Sequence, residues 1–322
     1  MRRLILAATA CALCALLASC DFTGIERFGK SRALVFGVAD YLYLDPPQDL
    51  TLTVLDAQKV HSVLYDSGYD ASLFTEAAAS KASIMTAIAS LDASHENLVF
   101  YFSGHGDRIG ATSYIIPYDG LFDDQTNHVV PASSISLEEL RGWIESTGIG
   151  MYTVILDTCF SGGFVAQSGV VDLWPDNYGY SITSPSGSQI EPALGAALRE
   201  LPLLMGASLT RGSPSRGLWV SAAGSAEGSY ESPSTQHGIF SYYFFFMDSD
   251  PLERQRALDA ADANKDGHIG ASEAFARAVR SISEEWNANE LHWDWRTQTY
   301  SDTPFLPHES GLPYDHLLFK AH

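Results

Sequence analysis

Asn97-Leu-Val-Phe-Tyr-Phe-Ser-Gly-His-Gly106 and Tyr152-Thr-Val-Ile-Leu-Asp-Thr-Cys-Phe-Ser-Gly162 are the stretches that decide how this chain folds. Each is a continuous apolar run that stops abruptly at residues able to do chemistry. Such a run, with no polar alternation, is the pattern of a strand buried on both faces of a parallel sheet. The first run ends in Ser103-Gly104-His105-Gly106 and the second in Asp157-Thr158-Cys159. In open α/β sheets, sites form just beyond the carboxyl ends of the strands.

Moving outward, Ala33–Ala39 is a third buried run and Ala71–Phe74 a further short strand. Leu52, Leu55, Val60, Val63 and Leu64 fall at helical spacing within 51–65. Ile84, Ile88 and Leu91 do the same, and a helix is expected over 136–146. Gly217–Ser221 reads as another strand, and Ile239–Met247 as an apolar helix or strand. Strands alternating with helices predict an α/β sandwich, with helices on both faces of a mostly parallel sheet. Residues 163–215 are rich in Ser, Gly and Pro, with a helical pattern only at 193–204. A stretch of that length is a functional loop or a processing segment.

A Cys–His pair supplies a thiolate nucleophile and a proton donor for the leaving amine, the minimum for cutting a peptide bond. The backbone N–H groups of Gly106 and Cys159 could form an oxyanion hole. Taken singly, a Gly-His-Gly turn is more often structural and a lone Cys more often a small buried hydrophobe. Together, at the ends of two strand-like runs, they point to catalysis.

Tyr101–Gly106 and Asp157–Gly162 resemble the two signature blocks of metacaspases and related caspase-like cysteine peptidases. Weaker matches lie in order around them, at Ala33–Ala39, Leu55-Asp56-Ala57 and Ile116-Pro117-Tyr118-Asp119, so the resemblance covers most of 32–250. It implies a caspase-like three-layer αβα sandwich, with a His105/Cys159 dyad that cleaves peptide or protein substrates. Caspases that cut after Asp carry Gln-Ala-Cys at the nucleophile. This chain carries Asp157-Thr158-Cys159, which resembles the metacaspases that cut after Arg or Lys. A carboxylate two residues before the nucleophile suits a cationic P1 side chain, and the resemblance makes Asp56 a second acidic wall with Ser103 nearby. The bland alternative is that Asp157 caps a turn or pairs with a surface Lys. Legumain-like and clostripain-like enzymes share the pairing, and an inactive scaffold or adaptor could keep it.

Asp262-Ala-Asn-Lys-Asp-Gly-His-Ile-Gly-Ala-Ser-Glu273 fits the twelve-residue EF-hand template. Oxygen ligands would come from Asp262, Asn264, Asp266, the His268 carbonyl and a bidentate Glu273, with Gly267 at the sharp turn. Helical patterns flank it, so an EF-hand insertion over 252–284 is expected, binding Ca²⁺ in a structural or regulatory role. The aromatic stretch Trp286–Trp295 reads as core packing ahead of a peptide groove.

The 322 residues carry 39 Asp+Glu against 19 Lys+Arg, a net charge of −20. That charge repels phosphate backbones and argues against a nucleic-acid partner. Arg2 and Arg3, the apolar Leu4–Leu17 and the run Leu17-Ala18-Ser19-Cys20 read as a lipoprotein signal over 1–19, with Cys20 lipidated. An ordinary cleaved signal or an uncleaved anchor remain as alternatives. The expectation is a lipid-anchored, extracytoplasmic protein, with Asp21 favouring the inner membrane, a tether over 20–31 and the peptidase domain over 32–322. Cys11 and Cys14 would leave with the signal, so Cys159 would be the one free thiol. The sequence leaves oligomeric state open.

Overall fold

The computed structural model describes residues 30–44, 50–123, 125–126, 128–159, 161, 164–165, 217–224, 228–287, 292–294, 299–301, 307–310 and 317–320. The expected signal, Cys20, most of the tether and nearly all of the 163–215 segment lie outside the described residues.

In chain order the elements that matter here begin with β1 (Ser31–Gly37), α1 (Thr53–Asp66), β2 (Asp70–Thr75), α2 (Lys81–Ala89) and β3 (Asn97–Ser103). A hairpin of β4 (Gly106–Ile109) and β5 (Thr112–Ile115) follows, then α3 (Leu137–Ser146), β6 (Met151–Asp157) and β7 (Gly217–Ser221). Next come the two-residue strands β8 (Glu231–Ser232) and β9 (His237–Gly238), then α4 (Ile239–Phe244) and α5 (Pro251–Ala261). The remaining elements are β10 (His268–Gly270), α6 (Ala271–Ser281), β11 (His308–Glu309) and β12 (Leu317–Lys320).

The six-stranded central sheet has the order β11-β7-β6-β3-β1-β2. Every pairing is parallel except the edge strand β11, which runs antiparallel to β7. Side chains alternate along each strand, and the two faces separate cleanly. Val35, Val99, Tyr101, Ile155 and Val220 pack with Ala57, Val60 and Leu64 of α1 and with Phe240, Phe244, Phe275 and Val279 of α4 and α6. Leu34, Phe36, Phe100, Phe102, Val154, Leu156 and Trp219 pack with Ile84 and Ile88 of α2 and Leu140 and Ile144 of α3. This is the expected three-layer αβα sandwich. Each buried apolar side chain contributes about 1.5–3 kcal/mol of hydrophobic free energy, so both faces hold the sheet rigidly under its strand ends.

The helix ends follow local chemistry where they can. Ser136 caps α3, and Glu139 closes the capping box by accepting from the Ser136 amide at 3.1 Å. Asp250 caps α5, with Pro251 in the first turn. The apolar run 239–247, open between helix and strand, starts as helix α4 and covers one face of the sheet with Ile239, Phe240 and Phe244. The β4-β5 hairpin and the edge strands β11 and β12 are short and mixed in polarity, and no periodicity announced them.

Candidate active site

Strands β3 and β6 are neighbours, and Ser103 stands opposite Asp157 in their register. His105 and Cys159 each lie two residues further on, so they leave adjacent strands at the same level. The strands are about 4.8 Å apart. Gly104 donates its amide to the Asp157 carbonyl at 3.3 Å, tying the two exits together. Gly106 then crosses the nucleophile turn. A methyl at this position would collide with the Cys159 carbonyl oxygen and lie 2.9 Å from Thr158 Oγ1. Glycine is needed there for close approach.

The nucleophile turn is latched from below. Buried Ser161 donates its hydroxyl to the Thr158 carbonyl at 2.8 Å and accepts from the Ala223 amide at 3.4 Å. The Cys159 thiol is free of disulfide and half-buried, with its Sγ 3.9 Å from the Ser229 carbonyl.

Tyr41 is a site residue that the sequence reading missed. Its hydroxyl accepts the His105 amide at 2.5 Å, and its ring lies 4.9 Å from the imidazole. Burial pushes the Tyr41 phenol well above its usual range, so it keeps its proton. The loop carrying Tyr41 is fixed by Glu76, whose carboxylate accepts the Ala39 and Asp40 amides at 3.2 Å. No motif surrounds Tyr41, so the sequence carried no signal for it.

Beneath the dyad, odd-numbered residues of β3 and β6 face the α1/α4 layer, placing Ser103 and Asp157 on that side. Asp157 is 5% exposed and sits against the first turn of α4. Its Oδ1 accepts from the Ser229 hydroxyl at 2.5 Å, and its Oδ2 from the Ser241 hydroxyl at 2.6 Å and amide at 3.2 Å. Burial raises its pKa to about 6, with the charge of Asp56 adding to the rise. Asp56, in the first turn of α1, is fully buried on the same side. Burial raises its pKa too, against the pull of hydrogen bonds from His237 and Gly238. A methyl on Gly238 would fall 2.7 Å from Asp157 Oδ2 and 2.9 Å from Asp56 Oδ2. The β9 backbone at Gly238 therefore packs directly against both carboxylates, with no room there for a side chain. Ser229, His237, Gly238 and Ser241 all escaped the sequence reading, because they lie far along the chain from both blocks.

The 262–273 loop joins α5 to α6. Its acidic side chains accept from its own amides: Asp262 from Asp266 and Gly267 at 3.0 Å each, Asp266 from His268 at 2.9 Å, and Glu273 from Ala263 and Gly270 at 3.0 Å each. Asn264 Oδ1 accepts the Asp266 amide at 2.8 Å. Gly267 sits at φ +80°, the left-handed turn that glycine allows. Among the described residues, no three His, Cys, Asp or Glu side chains draw together into a metal-holding group. Strand β10, inside the loop, pairs with the C-terminal strand β12. Trp286 is buried against the α6 side of the core, while residues 288–291 and 295 of the aromatic stretch lie outside the described residues.

A family model described as "Caspase domain" matches residues 30–251. Caspase-1 from Spodoptera frugiperda superposes with a TM-score of 0.54 at 11% identity, over 90% of this chain and 92% of that one. At that identity the likeness is one of fold. A crystal structure of a Geobacter sulfurreducens protein matches 67% of this chain and 80% of its own at 16% identity. Its TM-score of 0.41 is too low to carry an argument. No curated protein matches the sequence.

Proposed function

The chain belongs to the caspase-domain family, and from that premise we propose that it is a cysteine endopeptidase using His105 and Cys159. The observation that carries this reading is the shared exit of β3 and β6, with Gly106 packed onto the Cys159 backbone. His105 takes the thiol proton as sulfur attacks the scissile carbonyl, and the carbonyl π pair moves onto oxygen. The amides of Gly106 and Cys159 stabilise that oxyanion. As the oxyanion collapses, the C–N bond breaks and His105 returns the proton to the leaving amine. Water, deprotonated by the same imidazole, then hydrolyses the thioester and restores the thiol.

The proposed substrate is a peptide with Arg or Lys at P1. Asp157 and Asp56 meet the basic side chain, and Ser103 lines the pocket. Residues 262–273 act as an EF-hand calcium loop, where Asp262, Asn264, Asp266, the His268 carbonyl and Glu273 supply the hard oxygen ligands that Ca²⁺ prefers. Bound Ca²⁺ would neutralise these carboxylates and staple α5 to α6. The enzyme works outside the cytoplasm, held to the membrane through lipid on Cys20.

A P1-varied fluorogenic peptide library tests the reading. Turnover of Arg and Lys peptides, with Asp peptides left uncut, is the expected result. No turnover of any peptide, together with no reaction of Cys159 with a peptidyl electrophile, favours the scaffold reading instead.

A further inference from the structure

His237 has no place in the mechanism above, yet it makes the shortest contact to one of the two pocket carboxylates. Its Nδ1 lies 2.7 Å from Asp56 Oδ1, and the next residue, Gly238, donates its amide to the same carboxylate at 3.0 Å to Oδ2 and 3.2 Å to Oδ1. The Asp56 side chain is only 1% exposed and that of His237 17%.

The hairpin carrying His237 is itself fastened to α1. Ser232 pairs with His237 and Glu231 with Gly238. The Glu231 carboxylate accepts the Thr51 and Leu52 amides at 3.2 and 2.8 Å, ahead of a helix whose own N-cap residue offers no side-chain cap. One strand of the hairpin thus caps α1, while the other grips the first-turn carboxylate of that helix.

We propose that His237 is a specificity-positioning residue: it holds Asp56 ionised and fixed beside Gly238, so that the pocket presents two carboxylates to a basic P1 side chain rather than one. This rests on the basic-P1 reading above and adds to it what sustains the second charge. A buried carboxylate without a partner takes up a proton, because desolvation disfavours the charged form. Asp157 needs no such help from a cation, because two hydroxyls and an amide already satisfy it. Asp56 instead accepts from His237 and the Gly238 amide among the described residues, and the imidazole is the strongest influence opposing its burial. The groups around the pair are Asp56 of α1, Glu231 of β8, Asp157 of β6, Tyr101 of β3 and the Tyr242 ring of α4, whose centroid is 6.3 Å from the imidazole. The charged ones are acidic, so among the described residues His237 is the cation-capable group in this set.

The test measures kcat and KM for P1-Arg and P1-norleucine peptides across pH, in wild type, His237→Ala and His237→Asn. With His237→Ala, KM for the Arg peptide should rise about tenfold while kcat changes less than about twofold, the split expected when ground-state binding is lost. The norleucine peptide should be unaffected in KM, and the Arg preference should set in at higher pH than in wild type. His237→Asn, whose amide nitrogen can reach the place of Nδ1, should restore most of the Arg preference. Should His237→Ala fail to fold, His237→Leu keeps the bulk beside Tyr242, removes the donor and carries the same test. A wild-type KM and pH profile in the donor-less variant would overturn the inference while leaving the basic-P1 reading intact. A wild type indifferent to P1 charge would instead overturn both.

Discussion

The proposed pocket below the strand ends and the loop at 262–273 both gather carboxylates, and they do so over opposite ranges of sequence. The pocket joins partners 181, 84 and 72 residues apart: His237 to Asp56, Ser241 to Asp157, and Ser229 to Asp157. The loop satisfies its acids from within, through contacts two to ten residues apart. The pocket's acids are buried and can exist only because the fold delivers donors to them. The loop's acids range from buried Asp262 to exposed Asp266 and are arranged by their own backbone turn. Charge inside the sandwich is therefore a property of the whole tertiary structure, whereas charge in the loop is a property of twelve residues.

The sharpest way to break this comparison is at the nucleophile. Cys159→Ala should lower peptide hydrolysis at least a thousandfold, roughly the loss expected when a covalent nucleophile is removed. Its melting temperature should stay near that of wild type, because the half-buried thiol contributes little packing. Retained activity would show that the strand-end site is not where the chemistry happens.

Asp157→Asn probes the long-range half at one remove. The change should reduce the preference for P1-Arg over a neutral residue by about ten- to a hundredfold, since a charge-assisted pair is worth roughly 1.5–3 kcal/mol. Its pH behaviour is a second check. Burial raises the Asp157 pKa from its ordinary 3.8 to about 6, so its charge is gained progressively as pH rises through that value. In wild type, kcat/KM for an Arg peptide should therefore climb as pH rises through about 6. In Asp157→Asn that step should be absent or much reduced.

Glu273→Gln addresses the short-range half and should have the smallest effect on turnover. In wild type, Ca²⁺ should raise the melting temperature and EDTA should lower it, by linkage to binding of the folded form. The variant should lose most of that shift while keeping its pocket preference. A variant that also lost Arg preference would show that the two regions are coupled, most directly through α6, which packs on α4, the helix that carries Ser241.

Much of the fold was legible because buried parallel strands announce themselves locally. The runs at 33–39, 97–102 and 152–156 became β1, β3 and β6 with shifts of one or two residues at their ends. The candidate pair was legible for the same reason, since each residue follows directly on its strand. Asp56 and Ser103 were named through resemblance, and they share with Asp157 the layer between the sheet, α1 and α4. Tyr41, Ser229, His237, Gly238 and Ser241 were not legible. Each is a common residue in an ordinary local setting, and its importance lies in what it meets.

By itself the sequence determined the order of the parallel strands and of the helices flanking them, the presence of a Cys and a His at strand ends, and the ligand spacing of an acidic loop. Each of these depends on patterns no longer than one element. The tertiary structure alone decided that β3 and β6 lie side by side with Ser103 opposite Asp157. It also decided that a distant hairpin caps α1 and holds Asp56, and that two serines shield the charge of Asp157. The physical reason is desolvation. A buried carboxylate is costly until hydrogen-bond donors reach it, and only folding brings those donors from across the chain.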